Sequence, residues 1–307
     1  MLSTNLTFTI PQAETVLSRW LDRTVRCHQI EPLQGGMINT ALRLTFDREP
    51  ISVVIKLNKD KDSSDLRSER MRLDYLKTHT QLPVPVVYHY AVADAKIPYS
   101  YLLLETVPGV NMTQIELTSD DQITIDRELA EILIDLHGHN RDTYGPIHEP
   151  GVLSWVDIFV PELRAMRRNA EEKLPDSVLV DVDAAVDTAP DLLKDQGSPT
   201  LTHGDVWAGN IMIDWKGGGW HLTGLVDPSG SRFTDVEFEL AYLQVFNTVG
   251  SDFMDIYSAA YPLRPGYELR RLYYWLNTHM IHVWLFDDRF YDDAVAEVAR
   301  DILRYTR

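Results

Sequence analysis

Leu201-Thr-His-Gly-Asp-Val-Trp-Ala-Gly-Asn-Ile-Met-Ile-Asp214, followed shortly by Leu222-Thr-Gly-Leu-Val-Asp227-Pro228, is the stretch whose reading decides the fold. Apolar residues lead into His203, a loop of small and polar residues carries Asp205 and Asn210, and a second apolar run delivers Asp227. Gly, Asn and Asp are ordinary turn residues, so a simple bend explains His-Gly-Asp alone equally well. Asn210, the apolar run after it and an apolar-flanked Asp227 are three further matches, and each would have to be a separate coincidence.

His203-x-Asp205-x-x-x-x-Asn210 has the spacing of a phosphoryl-transfer catalytic loop. In such a loop the Asp takes the acceptor hydroxyl proton, the Asn reaches a metal ion, and a later strand-end Asp is the principal magnesium ligand. Asp205 is therefore the candidate base, and Asn210 and Asp227 are the candidate Mg²⁺ ligands. Phosphoryl transfer asks mainly for positioning and charge neutralisation, and these are the parts that supply it.

Upstream, the pattern reads as a nucleotide-binding half. Val16, Leu17, Trp20 and Leu21 predict a short amphipathic helix over 12–22. Strand-like runs follow, with Leu42, Leu44 and Phe46 alternating with polar residues and Lys56 near the end of 51–57. Gly35-Gly36, with Asn39 nearby, lets the backbone bend closely over a ligand, although two glycines between strands are more often just a tight turn. What favours a phosphate-covering loop is Lys56 on the next strand and Glu69 in the following helix, 64–77. A strand lysine paired with a helix glutamate holds the α- and β-phosphates. Leu82-Pro-Val-Pro85 breaks that helix, and 100–106 reads as a buried strand ending in a hinge at Glu105-Thr-Val-Pro-Gly109. There the Glu105 carbonyl and Val107 N–H are candidates to bind adenine.

Downstream of about residue 107 helices dominate, so a β-rich N-terminal lobe over 1–107 and a mainly helical C-terminal lobe over 108–307 are expected, with ATP and Mg²⁺ in the cleft. An apolar stripe from Ile125 to Leu136 ends at His137-Gly138. His137, His139 and His148 lack a fourth ligand at metal spacing and are read as helix-end histidines. Helices are expected over 155–174 and 181–193. The runs 211–214 and 219–226 form a hairpin around Trp215-Lys-Gly-Gly218, which brings Asn210 and Asp227 to one end. Thr234-Asp235-Val236-Glu237 reads as a capping box opening a helix. Asp235 is a candidate contact for a cationic acceptor, while Glu239 is explained by the helix dipole.

At 307 residues with 44% apolar content, the chain has enough material for one large domain or two smaller ones. A net charge of -17 disfavours a sequence-independent nucleic-acid binder, and would suit a cationic small molecule. One cysteine, Cys27, rules out an intramolecular disulfide framework, and a reducing cytoplasm is the expected home. No basic start followed by an apolar run opens the chain, so neither secretion nor a membrane partner is expected.

The loop His203-Gly-Asp-Val-Trp-Ala-Gly-Asn210, Trp207 included, resembles the H-G-D-[LV]-W-x-G-N of the fructosamine (ketosamine) kinase family. That family lies within the aminoglycoside-phosphotransferase-like kinases. Asp227-Pro228 resembles the family's metal-binding pair, and Tyr261-Pro-Leu263 with Pro265-Gly-Tyr267 resembles a motif of its C-terminal helices. The resemblance covers most of the chain and implies an α+β, protein-kinase-like bilobal fold. It also implies ATP-dependent phosphorylation of a sugar hydroxyl, in this family the 3-hydroxyl of a ketosamine. It assigns Asp205 as base, Asn210 and Asp227 to magnesium, Lys56 and Glu69 to the phosphates, and Gly35, Gly36 and Asn39 to the loop covering them. Trp207 becomes a candidate wall of the acceptor site. The N-terminal half is less similar, with Met37 and Ile38 in the nucleotide loop where some members carry a cysteine. An aminoglycoside or other amino-alcohol kinase, and a nucleotide-binding pseudokinase, are the alternatives.

Overall fold

The structure, a computed structural model, describes residues 6–33, 39–286 and 288–306. In chain order the elements are α1 (Ile10–Leu21), β1 (Cys27–Pro32), β2 (Thr40–Phe46), β3 (Ser52–Asn58), α2 (Ser64–His79), β4 (Val87–Ala91), β5 (Ser100–Glu105) and β6 (Val110–Asn111). There follow α3 (Ser119–His137), β7 (Gly145–Pro146), α4 (Val156–Asn169), α5 (Asp176–Leu192), β8 (Thr200–Thr202), β9 (Ile211–Lys216) and β10 (Gly219–Leu225). The chain ends with β11 (Arg232–Thr234), α6 (Val236–Val245), α7 (Ser251–Ala260), α8 (Tyr267–Leu285) and α9 (Arg289–Tyr305). These form two compact units, Met1–Glu116 with Ala208–Ser229, and Leu117–Trp207 with Gly230–Arg307.

The first unit is built on a five-stranded antiparallel sheet in the order β1-β2-β3-β5-β4. Strand side chains alternate between faces. Val53, Ile55 and Leu57 of β3 therefore join Leu42, Leu44 and Phe46 of β2 in a core with Ala13, Val16 and Leu17 of α1. Lys56 is turned by the same alternation to the opposite face. Helix α2 packs against β4 and β5. It is capped by Ser63, whose hydroxyl accepts the Leu66 N–H at 3.3 Å. Its buried stripe is Leu66, Glu69, Leu73 and Leu76, so one carboxylate sits in an otherwise leucine face.

The β9–β10 hairpin belongs to the same unit and pairs with β6. Its turn is Gly217-Gly218, two residues shorter than the expected 215–218, because Trp215 and Lys216 continue the ladder opposite Trp220 and Gly219. An irregularity between Leu222 and Gly224 bends β10. Gly224 there lies so close to the Pro83 carbonyl that a Cβ would stand 2.7 Å from its oxygen. The Leu225 N–H donates to that same oxygen at 2.9 Å.

In the second unit, α4, α5, α8 and α9 share one core with Trp155 and Tyr144. Helix α6 joins it through Ala241 and Phe238. Helix α5 begins at Asp176 rather than near 181, because Pro175 supplies the extended entry residue and Asp176 suits the first turn. Helix α6 is capped by Asp235 rather than Thr234, since Thr234 is still paired with Thr200 as the end of β11. Among the described residues no helix is long and apolar enough to cross a membrane. Trp155 is fully buried, stacks on Phe159 and donates its indole N–H to the Tyr274 hydroxyl at 3.2 Å. Trp155→Ala should therefore lower unfolding free energy by about 3–5 kcal/mol in a denaturant titration, and a loss below about 1 kcal/mol would contradict this packing.

Candidate active site

The alternation of β3 and the stripe of α2 converge on one ion pair in the first unit. Lys56 Nζ lies 2.6 Å from Glu69 Oε1 and 3.2 Å from Asp227 Oδ2. Burial opposes the charge on Lys56, but the two carboxylates overcome it and raise the ammonium above the ordinary lysine value. Burial likewise pushes the Glu69 carboxyl up, and Lys56 opposes that push. One ammonium between two carboxylates leaves a formal charge of about minus one, with Asp227 partly exposed.

Asp227 reaches this position through the hairpin. The Val226 N–H donates to the Asn210 carbonyl at 2.9 Å, closing the open end of β9–β10 and setting Asn210 and Asp227 side by side in the backbone. Asp227 has φ 57°, a left-handed conformation that few residues with a Cβ adopt. Asp227 carries a carboxylate and Asn210 an amide oxygen, donors of the hard kind that Mg²⁺ takes alongside phosphate and water. The net negative charge beside Lys56 also fits a cation. Asn39 is tied to β3, its Oδ1 accepting from Asn58 Nδ2 at 2.7 Å. The Glu105 carboxylate accepts the Val86 N–H at 3.0 Å, and Val107 is nearly buried. Gly35 and Gly36 lie outside the described residues.

The loop carrying Asp205 belongs to the second unit. Gly204 has φ +80°, and a Cβ there would stand 2.3 Å from the Gly230 carbonyl, so glycine is required at the centre of His203-Gly-Asp205. Glu239 of α6 holds this loop from beneath. Its carboxylate accepts the His203 N–H at 3.3 Å and the Gly204 N–H at 2.5 Å, and it receives His137 Nε2 at 2.7 Å. A carboxylate can only accept, so Nε2 of His137 carries a proton, while its Nδ1 meets the Tyr257 hydroxyl at 2.7 Å. Asp205 Oδ1 accepts from the Tyr242 hydroxyl at 2.6 Å.

Trp207 is half-buried beside this loop. Asp235 is 1% exposed, with Oδ2 taken by Arg264 at 2.6 Å and the Gly197 N–H at 3.1 Å, and Oδ1 by the Glu237 N–H at 3.1 Å. Both its oxygens thus serve the cap and an internal ion pair. Sequence reasoning missed Glu239 and Tyr242. No local signal marks either, since the helix dipole already accounts for an acid at Glu239 and nothing near Tyr242 announces its partner.

Burial would raise the Glu239 carboxyl, but His137, His203 and the Gly204 N–H outweigh it and hold it below the ordinary 4.5. A carboxyl held lower in the folded chain than in the unfolded one adds stability that is fully present above that ordinary value. The contribution is lost as pH falls through the depressed value. Glu239→Gln should therefore lower the thermal midpoint at neutral pH, with the gap to wild type narrowing as pH falls below 4.5. A gap independent of pH would contradict an ionised Glu239.

A fructosamine kinase family model matches residues 9–304. A probable ketoamine kinase of Staphylococcus aureus is 25% identical over 91% of this chain and 94% of its own length. A candidate fructosamine-3-kinase from Haemophilus somnus 129PT has a similar structure, with a TM-score of 0.73 at 23% identity over 95% of this chain and 96% of that one. An aminoglycoside phosphotransferase in ternary complex with AMP-PNP and hygromycin B aligns with a TM-score of 0.67 at 17% identity, covering 94% and 98%. These structural likenesses establish the protein-kinase-like fold. Taken with the nearly full-length family match, they mean that the chain belongs to the fructosamine kinase family and is an ATP-dependent kinase acting on a hydroxyl.

Proposed function

We propose that this kinase phosphorylates a sugar-derived hydroxyl of a ketosamine, with Mg²⁺ and ATP. The observation that carries the reading is the Lys56 ammonium held against Glu69 and Asp227. An ammonium kept charged by two neighbouring carboxylates suits the α- and β-phosphates, and Glu69 fixes where its proton donors point. Asn210 and Asp227 would hold Mg²⁺, which when bound neutralises charge on the phosphate oxygens. Asn39, with Gly35 and Gly36, would cover the phosphates, and the Glu105 carbonyl and Val107 N–H would bind the adenine edge. Asp205 takes the proton of the acceptor hydroxyl as that oxygen attacks the γ-phosphorus.

The ketosamine acceptor rests on the family match and on the related ketoamine kinase. Trp207, in the loop beside Asp205, would wall the acceptor. Asp235, with both oxygens engaged by Arg264 and the cap, is left out of that wall.

Two measurements test this. The purified protein with Mg²⁺ and ATP should release ADP on addition of fructosylglycine and not on addition of kanamycin. The reverse pattern would replace the ketosamine by an aminoglycoside, and nucleotide binding with no turnover on either would favour a pseudokinase. Asp205→Asn should cut kcat by roughly two orders of magnitude or more while leaving ATP affinity nearly intact, because a base acts only in the transition state. Near-normal turnover would remove Asp205 from the mechanism.

A further inference from the structure

Helix α6 grips the loop that carries Asp205 at two points. Glu239 takes the main-chain N–H groups of His203 and Gly204, and three residues later the Tyr242 hydroxyl donates to Asp205 Oδ1 at 2.6 Å. Residues three apart share a helix face, so one rigid element sets both the loop's backbone and the orientation of its carboxylate. The Tyr242 ring is itself fixed. It meets Phe246 edge-on at 5.0 Å, Phe246 packs on His282 at 5.2 Å, and His282 packs on Phe286 and Tyr291 at 5.4 and 4.8 Å. These rings come from α6, α8, α9 and the residues that cap α6 and α8, so the hydroxyl is presented by a packed aromatic row and not by a free side chain.

A carboxylate base works only while one oxygen faces the acceptor hydroxyl, and an Asp side chain can otherwise rotate away. A short bond from a phenol to a carboxylate is charge-assisted, and stronger than a neutral one. We propose that Tyr242 is a positioning residue for Asp205, holding Oδ1 so that the other carboxylate oxygen is turned to the acceptor. The proposal rests on Asp205 being the base. In the transfer step the acceptor O–H proton passes to that second oxygen while the acceptor oxygen bonds to the γ-phosphorus. The bond from the γ-phosphorus to the β,γ-bridging oxygen breaks, and its electron pair leaves with ADP. Tyr242 keeps its own proton throughout.

Tyr242→Phe keeps the ring and its packing and removes only the hydroxyl. It is compared with wild type and Asp205→Asn by steady-state kinetics, using whichever of fructosylglycine or kanamycin the wild type phosphorylates, and by thermal unfolding. The expected result is a kcat lower by about tenfold or more, the scale of one hydrogen bond to a charged group. KM for ATP should stay within about twofold, because it does not depend on how Asp205 is turned, and the unfolding midpoint should fall by no more than the loss of one hydrogen bond allows. If Asp205→Asn is inactive and Tyr242→Phe turns over like wild type, Tyr242 has no part in orienting the base. A fall in kcat matched by a lower unfolding midpoint and a higher KM for ATP would make its role structural, and would also overturn the proposal. Wild-type turnover by Asp205→Asn would instead overturn the base assignment, and the role of Tyr242 with it.

Discussion

The Lys56 ammonium, held between the carboxylates of Glu69 and Asp227, is the constraint on which the first unit depends. A carboxylate buried in the leucine stripe of α2 is costly unless paired, and a largely buried ammonium on β3 is equally so. Each is tolerable because the other is there. Meeting this requirement fixes the register of α2 against the sheet. It also calls for a hairpin that brings Asp227 to the same ammonium, and the hairpin is seated by the Pro83 carbonyl, by the close approach at Gly224 and by Thr223, whose hydroxyl donates to the Pro108 carbonyl at 2.7 Å. The left-handed backbone at Asp227 is kept because the ladder on one side and the ammonium on the other both hold it.

The second unit solves a parallel problem with a buried acid in a different role. Glu239 is fully enclosed, and its oxygens are satisfied by His137 and by two main-chain N–H groups of the loop that carries Asp205. A loop of small residues thereby acquires the rigidity of a helix. Helix α6 in turn is held by the aromatic core around Trp155, Phe159 and Tyr274, where Phe238 meets Phe159 and Tyr274 edge-on and Trp155 at a tilt. The Trp275 indole also donates to the Ala241 carbonyl at 2.8 Å. Packing far from the loop therefore sets the position of Asp205.

The pair of Lys56 and Glu69 was legible in the sequence because both residues break a local pattern. Lys56 interrupts an apolar strand, and Glu69 stands where the spacing of Leu66, Leu73 and Leu76 calls for another leucine. The hairpin was legible for a similar reason, since two apolar runs around adjacent glycines leave few registers. Glu239 was not, because an acid in a first helical turn has a sufficient local explanation in the helix dipole. Its true partners, His137 and His203, lie 102 and 36 positions away. Asp235 looked available for the same reason that Glu239 looked ordinary, since nothing local announces Arg264. Tyr242 carries no sequence mark at all, and its role depends on where a side chain ends in space.

The measurement that tests the account most directly is the affinity for ATP with and without Mg²⁺, by calorimetry, in wild type and in Asp227→Asn. If Asp227 stands beside Lys56 to present an oxygen to the metal, wild type should bind ATP much more tightly with Mg²⁺ than without, and the variant should show almost no difference. An undiminished effect of Mg²⁺ in the variant would contradict the claim that this ion pair is built to receive a metal-bound triphosphate.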